Sequence, residues 1–238
     1  IVDKKFKIIT FKNIIDFFNP NDALVFNDTK VIKANLIGFI SKRKVSINLN
    51  KIVDKEKVIW SVFIKSNKVP NIDDEIYLTK DLKAKIVNKS FKNNFNNYEI
   101  KFNCDLKNFL KKIEKIGNVP LPPYITKKRG LNYSDSSKYQ TVFATKDGAV
   151  AAPTASLHFS KKLLEKLKKK KIKLINITLH VNGGTFLPIK TENVNDHIMH
   201  SEFGEITKKS ALEINKIKKG GGKVVAIGTT VLRLLESS

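Results

Sequence analysis

The segment Ser160-Lys-Lys-Leu-Leu-Glu-Lys-Leu-Lys-Lys-Lys-Lys-Ile-Lys-Leu-Ile-Asn-Ile-Thr-Leu-His180 decides the fold class. Ser160 is a helix-capping residue, and Leu163, Leu164 and Leu167 after it fall on one helical face. From Lys173 to Val181 the pattern changes to a short apolar run, which reads as a strand. The same order recurs downstream. A helix is expected over Thr207 to Lys219, with Ile214 and Ile217 facing inward; Gly220-Gly-Gly222 ends it, and Lys223 to Ile227 is the next strand. Helix and strand in alternation predict an α/β layer.

Upstream the composition is different. Ala23 to Phe26, Val31 to Ile40, Val45 to Leu49, Val58 to Ile64, Glu75 to Leu78, Leu82 to Val87 and Tyr98 to Phe102 read as short strands at near-regular spacing. That is the pattern of a small antiparallel barrel or sandwich. The run from Val58 to Ile64 is apolar on both faces, so this strand is expected to be central. Asp105 caps a helix with Leu106, Phe109, Leu110, Ile113 and Ile116 in helical register, ending at Gly117. Val119-Pro-Leu-Pro-Pro-Tyr124 is expected to be extended, because proline disfavours helix. Two compositions imply two domains, the β part inserted between Asn27 and the proline-rich segment.

Bulk properties narrow the function classes. With 238 residues, 41 % hydrophobic and 9 % aromatic, the chain can bury a core, which argues against global disorder. No apolar run approaches the about 20 residues a spanning helix needs. There is no signal-peptide pattern, and the single cysteine, Cys104, permits no internal disulfide, in keeping with a reducing cytoplasm. The start at Ile1, the lone Met199 and the end within a helix-like pattern lead us to expect a piece of a longer protein. A net charge of +23 invites a nucleic-acid partner. Arginine, however, occurs only at Arg43, Arg129 and Arg233, while lysine, asparagine and isoleucine abound, as an AT-rich genome would impose on any protein. Charge alone leaves the matter open.

The candidate chemistry lies between Tyr139 and Glu202. All four histidines, His158, His180, His197 and His200, fall there, and histidine is the side chain most readily poised for proton transfer near neutral pH. Gly148-Ala-Val-Ala-Ala-Pro-Thr-Ala-Ser-Leu-His158-Phe offers small residues for close backbone approach, a turn at Pro153-Thr154, and His158 just before the Ser160 cap. Leu179-His180-Val-Asn-Gly-Gly-Thr-Phe186-Leu-Pro188 ends a strand in glycines, where α/β folds bind ligands. In His197-Ile-Met-His200-Ser-Glu202, the two histidines can share a helix face. Phe26-Asn-Asp28-Thr29 and Gly228-Thr-Thr230 end strands in small polar groups. A metal set of His180, His197, His200 and Glu202 is one reading, although the metalloprotease frame is absent. A proton-transfer or substrate-orienting set is the other.

Assembled, these segments resemble the S-adenosylmethionine:tRNA ribosyltransferase-isomerase family of queuosine biosynthesis. The matching stretches are Phe26 to Ile32, Val119 to Tyr124, Tyr139 to Ala144, Gly148 to Phe159, Leu179 to Pro188, His197 to Glu202, and Ala226 to Ser237, in the family's order. Ser156 and Asn182 stand where the family commonly has glycine. The resemblance implies an α/β domain (1–33 and 117–238) interrupted by an inserted small antiparallel β-barrel domain (34–116). It implies transfer and isomerisation of the ribosyl moiety of S-adenosylmethionine onto 7-aminomethyl-7-deazaguanine at the tRNA wobble position, giving epoxyqueuosine with release of adenine and methionine. It further implies a cytoplasmic monomer with no metal, no permanently bound cofactor, and S-adenosylmethionine as co-substrate. His158, His180, His200 and Glu202 become the candidate catalytic residues. Asn27, Asp28, Thr29, Tyr139, Gln140, Thr141, Pro153, Thr154, Gly184, Thr185, Phe186, His197, Thr229, Thr230 and Arg233 become substrate-binding candidates, with Phe159 and Phe186 available for stacking and Lys127-Lys-Arg129 for phosphate. A metal-dependent hydrolase using the histidines and a non-catalytic RNA-binding protein are the competing readings.

Overall fold

The structure is a computed structural model that describes residues 8–92, 95–130, 132, 134–186, 193, 195 and 200–238. Strand β1 (Ala23–Asn27) is buried at every position, as befits the middle of a parallel sheet covered on both faces. Leu24 and Phe26 pack to one side, against Phe18, Phe143 and Phe159 and against Leu163 and Leu167 of helix α4 (Lys161–Lys169). Ala23 and Val25 point the other way, toward Ile214 of α5 (Lys208–Lys219) and Val231 of α6 (Thr229–Glu236). On its edges β1 pairs in parallel with β10 (Lys173–His180), from Ala23 opposite Lys173 to Asn27 opposite Ile177, and with β12 (Val224–Ala226). Strand β11 (Phe203–Glu205) adds to β10 antiparallel, giving the order β11-β10-β1-β12. A second, two-stranded parallel sheet joins β2 (Thr29–Val31) to β9 (Lys146–Ala149).

Strands β3 (Asn35–Ile40), β4 (Arg43–Asp54), β5 (Ile59–Lys65), β6 (Glu75–Tyr77), β7 (Lys83–Lys92) and β8 (Phe95–Phe102) close a barrel in the order β3-β4-β5-β8-β7-β6. Closure removes free edges, and the interior is filled by Leu36, Ile47, Leu49, Val62, Ile76, Ile86 and Ile100. Helix α1 (Leu106–Ile116) plugs it. Asp105 caps the helix by accepting the Asn108 N–H, and its face of Phe109 and Ile113 is buried, with the Phe109 ring 4.2 Å from Phe102 and 5.8 Å from Trp60. The chain enters the barrel at Asn35 and leaves α1 at Asn118, and these two residues exchange backbone hydrogen bonds of 3.0 and 2.8 Å.

Two expectations change. The single strand expected over Val31 to Ile40 is broken at Ile32–Ala34, where the chain passes from the β2–β9 sheet to the barrel. Gln140 fixes the break: its carboxamide binds both the N–H and the C=O of Val31, from 109 residues away. The proline-rich segment is not extended throughout, because α2 (Pro123–Arg129) starts on its last proline. Proline is well suited to the first helical position, where no N–H is required. After a short α3 (Asp135–Lys138), the caps at Ser160 and Thr207 and the ends of α5 and β12 follow the sequence pattern.

Asp22 ties the amino-terminal edge of the sheet together. Its buried carboxylate accepts the N–H of Asn19 at 2.7 Å and of Lys223 at 2.8 Å, bringing the entries to β1 and β12 side by side. Those two bonds, the Lys223 one first, hold its carboxyl below the usual range. The folded pKa is lowered, so the stabilisation is present above the unfolded value of about 4 and is lost as pH falls through the folded one. Asp22→Asn is expected to lower the stability at neutral pH by about 1.5–3 kcal/mol and to flatten its decline below about pH 4. Urea midpoints taken across that range check both.

Candidate active site

In an open α/β sheet, ligands bind beyond the carboxyl ends of the parallel strands. Here that edge opens into a cleft of about 310 Å³. One wall is Val181, Thr185 and Phe186, beyond β10; another is Gly228, Thr229, Thr230 and Arg233, where β12 leads into α6. Ala151 to Ala155 form the floor between them, and Pro122, Tyr124 and Tyr139 close the third side. Gly228 makes the junction possible: its φ is +88°, and a Cβ there would stand 2.9 Å from the Cβ of Ala155. The first N–H groups of α6, out of reach of any helix carbonyl, and the two threonine hydroxyls give this wall donors for an anionic or carbonyl oxygen. Burial pushes the Tyr139 hydroxyl up to about 12, so it enters the site as a neutral donor.

Glu202 is joined to this cleft through its partner. Its Oε2 lies 2.6 Å from Nη2 of Arg233, a cleft residue, and its Oε1 accepts the N–H of Asn182 at 3.1 Å. The Glu202 side chain is 10 % exposed and that of Arg233 50 % exposed, so the carboxylate is sheltered while the guanidinium faces solvent. The contact is ionic and off the hydrogen-bond line, so Oε2 still has capacity to accept a donor. Asn182 also donates from its carboxamide to the Ser201 carbonyl at 2.7 Å, fixing the chain just before Glu202. A glycine could not make that bond.

His180 belongs to a neighbouring cluster. Its Nδ1 is 2.7 Å from the Thr29 hydroxyl, and its ring covers Gly148, where an added Cβ would meet it at 2.8 Å. The Phe203 ring lies nearly parallel to it at 6.1 Å and 18°. Burial lowers its pKa, Lys55 adds to that and Asp28 opposes it. The imidazole is therefore neutral near pH 7 and can accept a proton.

The structure thus brings Tyr139, Pro153, Thr154, Thr185, Phe186, Thr229, Thr230 and Arg233 to one cleft, with Glu202 attached to it. It places other candidates differently. Asn27 uses its carboxamide on both backbone groups of Leu179 and on the Thr29 N–H. Asp28 accepts the Thr178 hydroxyl at 2.7 Å, Gln140 clamps Val31, and the Thr141 hydroxyl accepts the Phe143 N–H. These residues shape the edge on which the cleft stands. His158 is exposed, with its ring 5.2 Å from Phe11, and is not among the cleft walls. His200 lies in no helix and its ring rests on Gly184, whose N–H is bound to Asn50 of the barrel at 3.0 Å. His197 and Pro188 lie outside the described residues. Among the described residues no group of three His, Cys, Asp or Glu side chains could hold a metal ion, and no helix is long and apolar enough to cross a membrane. Pro122, Tyr124 and Val181 were not singled out from the sequence; the first two lie in the proline-rich match, which was the available signal.

The family model for the queuosine biosynthesis protein matches residues 2–238 of this chain. The S-adenosylmethionine:tRNA ribosyltransferase-isomerase of Zymomonas mobilis subsp. mobilis is 44 % identical over 223 residues, covering 94 % of this chain and 64 % of that one. Its counterpart from Buchnera aphidicola subsp. Schizaphis graminum is 43 % identical over 229 residues, covering 96 % and 62 %. The chain therefore spans a little under two thirds of the length of these relatives. A crystal structure of S-adenosylmethionine tRNA ribosyltransferase from Thermotoga maritima is similar at 22 % identity, with a TM-score of 0.36, covering 95 % of this chain and 58 % of that one.

Proposed function

The chain belongs to the queuosine biosynthesis protein family, and from that premise we propose that it carries the active-site cleft of a tRNA ribosyltransferase-isomerase. The reaction moves the ribosyl portion of S-adenosylmethionine onto 7-aminomethyl-7-deazaguanine at the tRNA wobble position and isomerises it to the epoxy-cyclopentane of epoxyqueuosine. Adenine and methionine leave. The enzyme works as a monomer in the cytoplasm and needs no resident cofactor.

The observation that carries this reading is the cleft at the sheet's carboxyl edge, lined by threonine hydroxyls, helix N–H groups, a neutral phenol and Arg233, whose guanidinium pairs with the sheltered Glu202 carboxylate. That donor-rich lining suits a zwitterionic amino acid and a ribose. The carbon beside the sulfonium must lose a proton, and adenine leaves more easily when protonated. Each transfer is worth about 10²–10⁴ in rate when a positioned group performs it. We assign the base role to Glu202, which also opposes the positive sulfonium, and keep His200, whose ring rests on Gly184 next to Thr185 of the cleft wall, as the candidate for the proton on adenine; His158 is off the cleft walls and the neutral His180 is an acceptor. Thr154, Thr185, Thr229 and Thr230 would orient the ribose and the amino-acid portion.

Adenine release from S-adenosylmethionine tests the proposal. It should occur with tRNA carrying 7-aminomethyl-7-deazaguanine and should be absent with tRNA carrying guanine. The product of the whole gene is assayed beside the 238-residue chain. No adenine from the whole product with the modified tRNA would overturn the assignment.

A further inference from the structure

Phe203 is 55 % exposed at the head of edge strand β11, an expensive place for a large apolar ring. The ring is not loose. It lies nearly parallel to His180 at 6.1 Å, and Nζ of Lys55, from the barrel, stands 4.9 Å from its centroid. Lys51, on β4, reaches the Ser201 hydroxyl at 3.2 Å, and Lys146, on β9, meets Glu205 at 2.8 Å. One outward-facing aromatic therefore has Lys55 over its ring, with Lys51 and Lys146 held on its chain neighbours Ser201 and Glu205. Glu202, the preceding residue, turns toward Arg233 at the cleft, whereas Phe203, opposite His180 on β10, shares the His180 face of the sheet.

We propose that Phe203, backed by His180, with Lys55 over its ring and Lys51 and Lys146 on the neighbouring residues of its segment, is a stacking platform for an unpaired RNA base. The inference rests on the tRNA reading above and adds to it a surface and a base-binding residue. A flat aromatic face stacks on any nucleobase, and surrounding ammonium groups take the phosphates, which together define a single-strand site. A paired base has its faces covered by its neighbours and cannot use the ring. Lys55 is displaced from over the ring when a base arrives and remains close enough to contact the backbone of the strand.

Fluorescence anisotropy of the 238-residue chain with a short unpaired RNA, and with the same RNA annealed to its complement, tests the platform. Phe203→Ala should weaken unpaired RNA about 5- to 150-fold, with duplex binding and the salt dependence unchanged, and Phe203→Trp should restore it. Lys55→Ala should instead reduce the slope of log K against log salt by about 0.7. Wild-type affinity of Phe203→Ala for unpaired RNA, or equal losses on both RNAs, would overturn the proposal. The two readings fail separately. Adenine released as in wild type, with an unchanged KM for tRNA, by Phe203→Ala of the whole enzyme would remove the platform and leave the reaction. A selective binding loss in a protein that never releases adenine would do the opposite.

Discussion

Glu202→Gln is expected to lower the turnover of the whole enzyme by about 10²–10⁴, the loss that follows removal of a positioned base. Glutamine keeps the shape of the side chain and the acceptor for the Asn182 N–H, and it removes only the charge facing Arg233. Because Arg233 is half exposed, water can satisfy its guanidinium, and the change in stability should stay within about 1 kcal/mol. The kinetic split then separates two roles. A base lost from the transition state lowers kcat with KM for S-adenosylmethionine nearly constant, whereas a lost counter-charge for the sulfonium raises KM. Arg233→Ala is the companion variant. If the pair acts as a unit, the double replacement costs little more than either single one, and the coupling appears as non-additivity. Wild-type turnover by Glu202→Gln would take Glu202 out of the chemistry.

How much of this was readable beforehand depends on the range of the interactions. The caps at Asp105, Ser160 and Thr207 and the helices they start are set by residues within a turn, and sequence spacing reveals such features directly. The all-buried β1 was readable as an apolar run, but its pattern grouped it with the antiparallel strands, and the structure makes it the central parallel one. The break at Ile32–Ala34 was not readable, since Val31, Ile32 and Leu36 are as apolar as an unbroken strand requires, and the clamp comes from Gln140 across most of the chain. The site divides similarly. Gly228-Thr-Thr230 was legible as a strand end followed by glycine and a helix start, and it became a site candidate, together with Arg233, only through the family resemblance. Three of the four histidines can be placed. Close in sequence, the described histidines have different neighbours: His158 lies against Phe11, His180 against Thr29 and Phe203, and His200 on Gly184. No local signal could pair His180 with Thr29, because parallel pairing of β1 with β10 does so. Nor could any bring Lys55 of the barrel over Phe203.

Phe26→Ala is the substitution expected to cost most stability, about 3–5 kcal/mol. The side chain is fully buried in the central strand, stacked on Phe143 at 3.8 Å and edge-on to Phe159 at 4.9 Å. Alanine would remove the apolar transfer energy and leave a void that a parallel strand, pinned on both edges, cannot close. Against a total of about 5–15 kcal/mol for an ordinary domain, that loss is a large share. Phe26→Leu keeps most of the volume and should cost clearly less. The consequence reaches the site as well. Phe143 and Phe159 flank the segment that supplies Ala151 to Ala155 to the cleft floor, and Phe26 precedes the Asn27 to Thr29 turn that holds Leu179 and His180. Urea unfolding should therefore show Phe26→Ala with a sharply lower midpoint and an unchanged slope, and adenine release by the whole enzyme should fall in proportion to the folded fraction. A midpoint shift below about 1 kcal/mol would mean that the neighbouring rings collapse into the void, and that this aromatic stack does not fix the sheet edge on which the cleft is built.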